Sequence, residues 1–96
     1  MFPDEYDVFM KTYDKIFRAL GNPKRFAIIL YLLKKREATV EDIAGAIKLS
    51  HTSTSKHLVL LDKLDVVMFR RESRYIFYRL NIGEHHFVDA LLKLLK

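Results

Sequence analysis

Residues 39–64, TVEDIAGAIKLSHTSTSKHLVLLDKL, decide the fold. Thr39 can cap a helix with its hydroxyl, and Asp42 three residues on offers the reciprocal contact of a capping box. Behind that cap Val40, Ile43, Ala44 and Ile47 recur at helical spacing and make one inward face. Lys48-Leu49-Ser50 is a three-residue break that ends in a second capping hydroxyl. The helix that follows, to about residue 64, turns Thr54, Leu58, Leu61 and Leu64 inward and leaves His51, Thr52, Ser55, Lys56 and Val59 outside. A short helix, a tight turn and a longer helix with a polar, uncharged-to-basic outer face is the helix-turn-helix pattern.

Downstream the texture changes. Val66-Val67-Met68-Phe69-Arg70-Arg71 and Arg74-Tyr75-Ile76-Phe77-Tyr78-Arg79-Leu80 are rich in β-branched and aromatic residues and flank the polar tip Glu72-Ser73, which predicts a β-hairpin. From 83 to 96 helical spacing returns with Phe87, Val88, Leu91, Leu92, Leu94 and Leu95. Upstream, Tyr6, Phe9, Met10, Tyr13, Ile16, Phe17 and Leu20 share one face of a first helix. Gly21-Asn22-Pro23 then supplies a stop, an N-cap and a first-turn proline. The second helix, 23–35, is apolar almost all round, which places it in mid-core, and Glu37-Ala38 is a short extended link.

Ninety-six residues, half of them hydrophobic and 30% charged, fit one globular domain. A core this small leaves apolar surface over, so a second copy is the natural source of further burial. The acidic N-terminus and the lack of a long apolar run set the expectation of a soluble cytoplasmic protein without a membrane partner. The net charge of +5 is local: residues 48–79 carry seven Lys/Arg against three Asp/Glu, while the two ends are nearly balanced. A basic face built on a helix pair and a hairpin is what a DNA reader needs, with helix side chains on base edges and hairpin arginines on phosphate or minor groove. Ser53 and His57 lie one turn apart, but no oxyanion-forming loop or orienting acid accompanies them, so no catalytic residue is expected.

Three stretches together resemble the ArsR-type family of bacterial and archaeal repressors. Phe17-Arg18-Ala19-Leu20-Gly21-Asn22-Pro23-Lys24-Arg25 is similar to its opening signature, 49–58 to its recognition helix and 70–80 to its wing. The resemblance implies a homodimer built from the first and last helices that represses transcription until a metal or another signal releases it. Lys48 and Asp65 stand where the family usually has glycine, so a left-handed turn at either would cost roughly 1 kcal/mol. The chain has no cysteine, which excludes thiolate metal sensing. Glu84, His85, His86 and Asp89 open the last helix, but the further histidines that complete such a site in other relatives are replaced by Leu91 to Leu95, so no metal and no cofactor are assigned.

The expected fold is mainly α with a small β-hairpin: a winged helix-turn-helix with five helices and a two-stranded wing, one domain over 1–96. The helix-turn-helix spans about 39–64, the wing about 66–80, and dimerisation helices about 5–20 and 83–96. The DNA-facing set is His51, Thr52, Ser55, Lys56, His57, Arg70, Arg71 and Arg74. The dimer interface is Phe9, Met10, Tyr13, Phe87, Leu91 and Leu94. The expected partners are double-stranded DNA with an inverted-repeat operator and a second copy of the chain. A protein-docking or architectural winged helix is the alternative, separated from the first reading by the chemistry of the outer helix face.

Overall fold

The computed structural model describes residues 17–82 together with Lys11, Asp14 and Lys93. Helical residues 17–20 end at Gly21, where a Cβ would come within 3.1 Å of the Phe17 carbonyl oxygen. Helix α1, Pro23–Lys35, starts as expected: Asn22 is extended, and its Oδ1 accepts from the N–H groups of Lys24 (2.8 Å) and Arg25 (3.3 Å). Those two side chains settle other helix ends. Arg25 donates to the Arg18 (2.8 Å) and Ala19 (3.3 Å) carbonyls, and the Lys24 ammonium donates to Ile47 O at 3.0 Å. Each such bond goes to a carbonyl in the last turn of a helix, where the i+4 N–H partner is missing; the Arg18 carbonyl also accepts from Gly21 N–H at 3.4 Å.

Arg36 stops α1 with φ 72° and ψ −49°, its N–H on Leu32 O at 2.7 Å. Strand β1, Glu37–Thr39, runs straight into helix α2, Val40–Ile47. Of the expected reciprocal cap, the bond from Asp42 N–H to Thr39 Oγ1 is present at 3.1 Å. Glu41 and Asp42 place negative charge in the first turn, where the helix dipole favours it. Lys48 ends α2 in the left-handed conformation, φ 57° and ψ 52°, which lets its own N–H and that of Leu49 both reach Ala44 O. Ser50 caps helix α3, His51–Lys63, by accepting from Ser53 N–H at 3.1 Å. Asp65, φ 62°, reverses the chain after α3, with Val66 N–H on Leu61 O. Both positions where glycine was missed are therefore left-handed.

Strands β2, Val67–Glu72, and β3, Tyr75–Leu80, pair antiparallel, with Glu72 opposite Tyr75. The two-residue tip is Ser73-Arg74, one residue on from the expected tip, and among the described hairpin residues Ser73 alone has positive φ. Strand β1 adds to the other edge of β3, so the sheet order is β1-β3-β2. This corrects the sequence expectation in two ways. The link at Glu37-Ala38 is a third strand, because Ala38 pairs with Tyr78 and brings the backbone polar groups of the link into a ladder. Four helices and three strands stand among the described residues in place of five helices and a two-stranded wing; the helix expected over 83–96 falls outside them apart from Lys93.

The core is one cluster: Ile28, Ile29 and Leu32 of α1, Val40, Ile43 and Ile47 of α2, Leu58 and Leu61 of α3, and Val66, Val67, Tyr78 and Leu80 at the base of the hairpin. The inward faces read from periodicity in α2 and α3 are the buried ones. Helix α1 is buried on one side rather than all round, since Leu30 is 41% exposed.

Helix α2 carries its glycine and its turn residue in inverse places. Gly45 lies inside the helix, exposed, with open space where a Cβ would be, while Lys48 occupies the left-handed position. Gly45→Ala and Lys48→Gly are each expected to raise stability by about 0.5–1 kcal/mol. That is a melting temperature higher by roughly 2–8 °C in a domain of this size. Lys48→Val should lower it. Thermal and urea unfolding of the three variants check the set.

Candidate nucleic-acid interface

Helix α3 and the hairpin face each other across an open cleft of about 380 Å³. One wall is the α3 row His51, Ser55, Val59 and Asp62, with Val40 and Glu41 of α2 at its end. The other is Phe69, Arg71, Arg74, Ile76 and Tyr78 of the hairpin. The row spacing of three to four residues is one side of a helix, and the hairpin wall follows from strand alternation. In β2, Phe69 and Arg71 share the core-facing side with Val67. Arg70 and Glu72 point to the opposite side.

Alternation therefore separates two arginines adjacent in sequence. Arg71 reaches the cleft, its guanidinium carbon 5.9 Å from the centre of the Phe69 ring. Arg70 lies on the outer side, doubly bonded to Glu37 of β1 (2.8 and 3.0 Å), bonded to Glu72 (2.6 Å) and stacked over Phe77 at 4.4 Å. The fork geometry suits a two-point carboxylate bond, and it ties all three strands together. The bond to Arg70 holds the Glu37 carboxyl below its ordinary range, and Arg70 in turn is held cationic. Arg74, at the tip, stacks on Tyr75 and donates to its hydroxyl at 2.9 Å.

On α3, Thr52 and Lys56 are exposed and Ser55 is partly buried. His51 is exposed, with Nε2 3.2 Å from Glu41 Oε1. His57, unlike His51 and Ser55, does not line the cleft. It is partly buried, and burial first, then the positive charge of Arg25, lowers its pKa from 6.5. The structure thus gathers His51, Ser55, Arg71 and Arg74 around one cleft with Thr52 and Lys56 beside it. It sets Arg70 on the far side of the hairpin and leaves His57 out of the cleft lining.

Sequence reasoning missed Glu37, Glu41, Asp62 and Phe69, which border these groups. Their partners lie on other elements or across a strand, and β2, VMFRRE, shows no alternation of its own, so the split between Arg70 and Arg71 follows only from the strand pairing. The expected interface residues Phe9, Met10, Tyr13, Phe87, Leu91 and Leu94 lie outside the described residues, as do Glu84, His85, His86 and Asp89. Among the described residues no group of three or more His, Asp or Glu side chains could hold a metal ion, and no helix is long and apolar enough to cross a membrane.

Comparison with known proteins places this geometry. The family model for bacterial regulatory proteins of the arsR family matches residues 22–68. The transcriptional repressor SdpR of Bacillus subtilis is 37% identical over 68 residues, 71% of this chain and 74% of that protein. Reduced HlyU from Vibrio cholerae superposes with a TM-score of 0.84 at 28% identity, covering 97% of this chain and 94% of that one. The homodimeric winged helix-turn-helix DNA-binding domain (fragment 1–100) from Mycobacterium bovis, described as a possible ArsR-family transcriptional regulator, gives a TM-score of 0.75 at 28% identity, covering 98% and 86%. The chain spans about three fifths of the length of two further curated relatives, 61% and 58%.

The position of His57 has a consequence for stability. Because its folded pKa is depressed, the unfolded chain takes up the proton first as the pH falls, so stability drops as the pH is lowered from about 7 through 6.5 and stops dropping once the folded form protonates too. In His57→Gln this part of the pH dependence should vanish. Urea midpoints of the two proteins at pH 7.5 and 5.5 give the comparison, with a smaller change in the variant as the expected result.

Proposed function

Since this chain belongs to the ArsR family of bacterial regulatory proteins, and its relative SdpR is a transcriptional repressor, we propose that it is a cytoplasmic, homodimeric, sequence-specific repressor of transcription. In this reading residues 1–96 are one winged helix-turn-helix domain, α3 lies in the major groove, and the hairpin is the wing. The observation that carries the proposal is the shared face: the start of α3, polar and uncharged to basic, stands beside Arg71 and Arg74 across one cleft. Thr52, Ser55 and Lys56 meet base edges with His51, and Arg71 and Arg74 meet phosphate or minor groove. Arg70 supports the wing through Glu37 and Glu72, and His57 supports α3 from the α1 side. The chain catalyses nothing, and it senses no metal through thiolates.

Pairing through the helices at the two ends is supported by the homodimeric relative and by the apolar side chains at 9, 10, 13, 87, 91 and 94. Two copies put their α3 helices about one duplex turn apart, so the operator is an imperfect inverted repeat. One observation favours a second reading, a protein-docking winged helix: Val59 and Phe69 are 47% and 45% exposed at the cleft, with Glu41 and Asp62 beside them. Base-specific loss in the helix variants decides between the two.

Arg71→Ala and Arg74→Ala should weaken binding to all duplexes alike and flatten the plot of log K against log salt by roughly one unit per lost phosphate contact in each half of the dimer. Thr52→Ala or Ser55→Ala should cost about 1–3 kcal/mol on the selected site and much less on random DNA. Titrations on both duplexes at several salt concentrations make the measurement, and equal losses on both for the helix variants would put the docking reading first. Zinc at modest excess should leave affinity nearly unchanged, since three good ligands in closed geometry are needed for a tight site. A tenfold zinc-dependent loss that His86→Ala abolishes would reverse that expectation.

A further inference from the structure

We propose that Glu41, in the first turn of α2, is a positioning residue for base recognition: it dictates which ring nitrogen of His51 is presented to DNA as a hydrogen-bond acceptor. The proposal rests on α3 being the reading helix. It starts from one contact, His51 Nε2 to Glu41 Oε1 at 3.2 Å, between two exposed side chains on the same rim of the cleft.

A carboxylate can only accept a hydrogen bond, so the nitrogen facing it carries the proton. In the neutral ring that leaves Nδ1 with a bare lone pair, and the partner on one ring nitrogen thereby sets the chemistry of the other. The remaining outward groups do not share this constraint. The hydroxyls of Thr52 and Ser55 rotate to donate or accept, and the Lys56 ammonium only donates. His51 is then the member of the set committed to accepting. In the major groove the complementary donors are the exocyclic amino groups, adenine N6 and cytosine N4. Guanine N7 and O6 or thymine O4 would set acceptor against acceptor. Both residues sit in the first turn of a capped helix, behind Thr39 and Ser50, so the backbones that carry the two side chains are fixed relative to their helices.

The test is a selection from random duplexes at neutral pH with the full chain, wild type, Glu41→Gln, His51→Ala and the double variant, followed by titration on single-base variants of the selected site. A glutamine at 41 offers a donor and an acceptor, so either tautomer of the ring can form. Wild type should prefer adenine or cytosine at one position of each half-site. Glu41→Gln should lose about tenfold discrimination at that position alone. His51→Ala should lose the same position, and adding Glu41→Gln to it should change nothing further there.

In the free protein, 15N shifts of the His51 ring should report protonated Nε2 in wild type and a tautomer mixture in Glu41→Gln, a readout that needs no DNA, and an unchanged melting temperature shows that the variant is folded. A uniform affinity gain in Glu41→Gln with an unchanged site would reduce Glu41 to a repulsive charge and overturn the proposal. Loss at two different positions in the two single variants, or an unchanged tautomer, would overturn it as well. If wild type itself enriches no sequence, it is the reading of α3 that fails.

Discussion

The arrangement of the cleft between α3 and the hairpin depends on how the chain reverses after α3. Leu64 N–H closes on Leu60 O, Asp65 takes a left-handed conformation, and Val66 N–H reaches back to Leu61 O. The far end of the hairpin returns to the same place, with Asn81 N–H on Val66 O at 2.9 Å and Asn81 Nδ2 on Asp65 O at 3.2 Å. Val66 and Val67, fully buried beside Leu58 and Leu61, anchor the strand that leaves this turn. Buried backbone groups must find partners, and here they find them in one short crossing. With the base of the wing held to the last turn of α3, the hairpin has to run alongside the helix, and the cleft between them is the result.

A second set of constraints keeps α2 and α3 in register. Four consecutive residues, Asn22 to Arg25, supply a cap for α1, its first-turn proline, a donor for the end of α2 and donors for the end of the helix before α1. That stretch opens the family match. Its chemistry explains why such residues occur together: Lys24 bonds Ile47 O one residue before the left-handed Lys48, so it stabilises the turn from which α3 departs.

Charge near the cleft is less simple than a basic patch. The positive excess of residues 48–79 includes Arg70, which is taken up by Glu37 and Glu72 on the outer side of the sheet. Glu41 and Asp62 bring negative charge to the cleft rim opposite Arg71 and Arg74. A surface that alternates in this way attracts a polyanion less strongly at long range than uniform basicity would, and it places more of the discrimination on individual contacts.

Local pattern was enough for the parts of the molecule that local physics governs. Helical spacing located α2 and α3, β-branched and aromatic runs around a polar tip located the hairpin, and the capping hydroxyls of Thr39 and Ser50 and the amide of Asn22 marked the helix starts; that Lys48 and Asp65 stand at glycine positions came from the family resemblance, and both are left-handed. These features depend on neighbours within a few residues. The third strand was not legible, because three residues with no alternation of their own become a strand only when β3 supplies the ladder. Nor was the division of labour between Arg70 and Arg71, the partnership of Glu41 with His51 across ten residues, or the effect of burial and the Arg25 charge on His57. Each depends on which elements meet and in what register, and residues far apart in the chain acquire a common chemistry only when the core has packed them side by side.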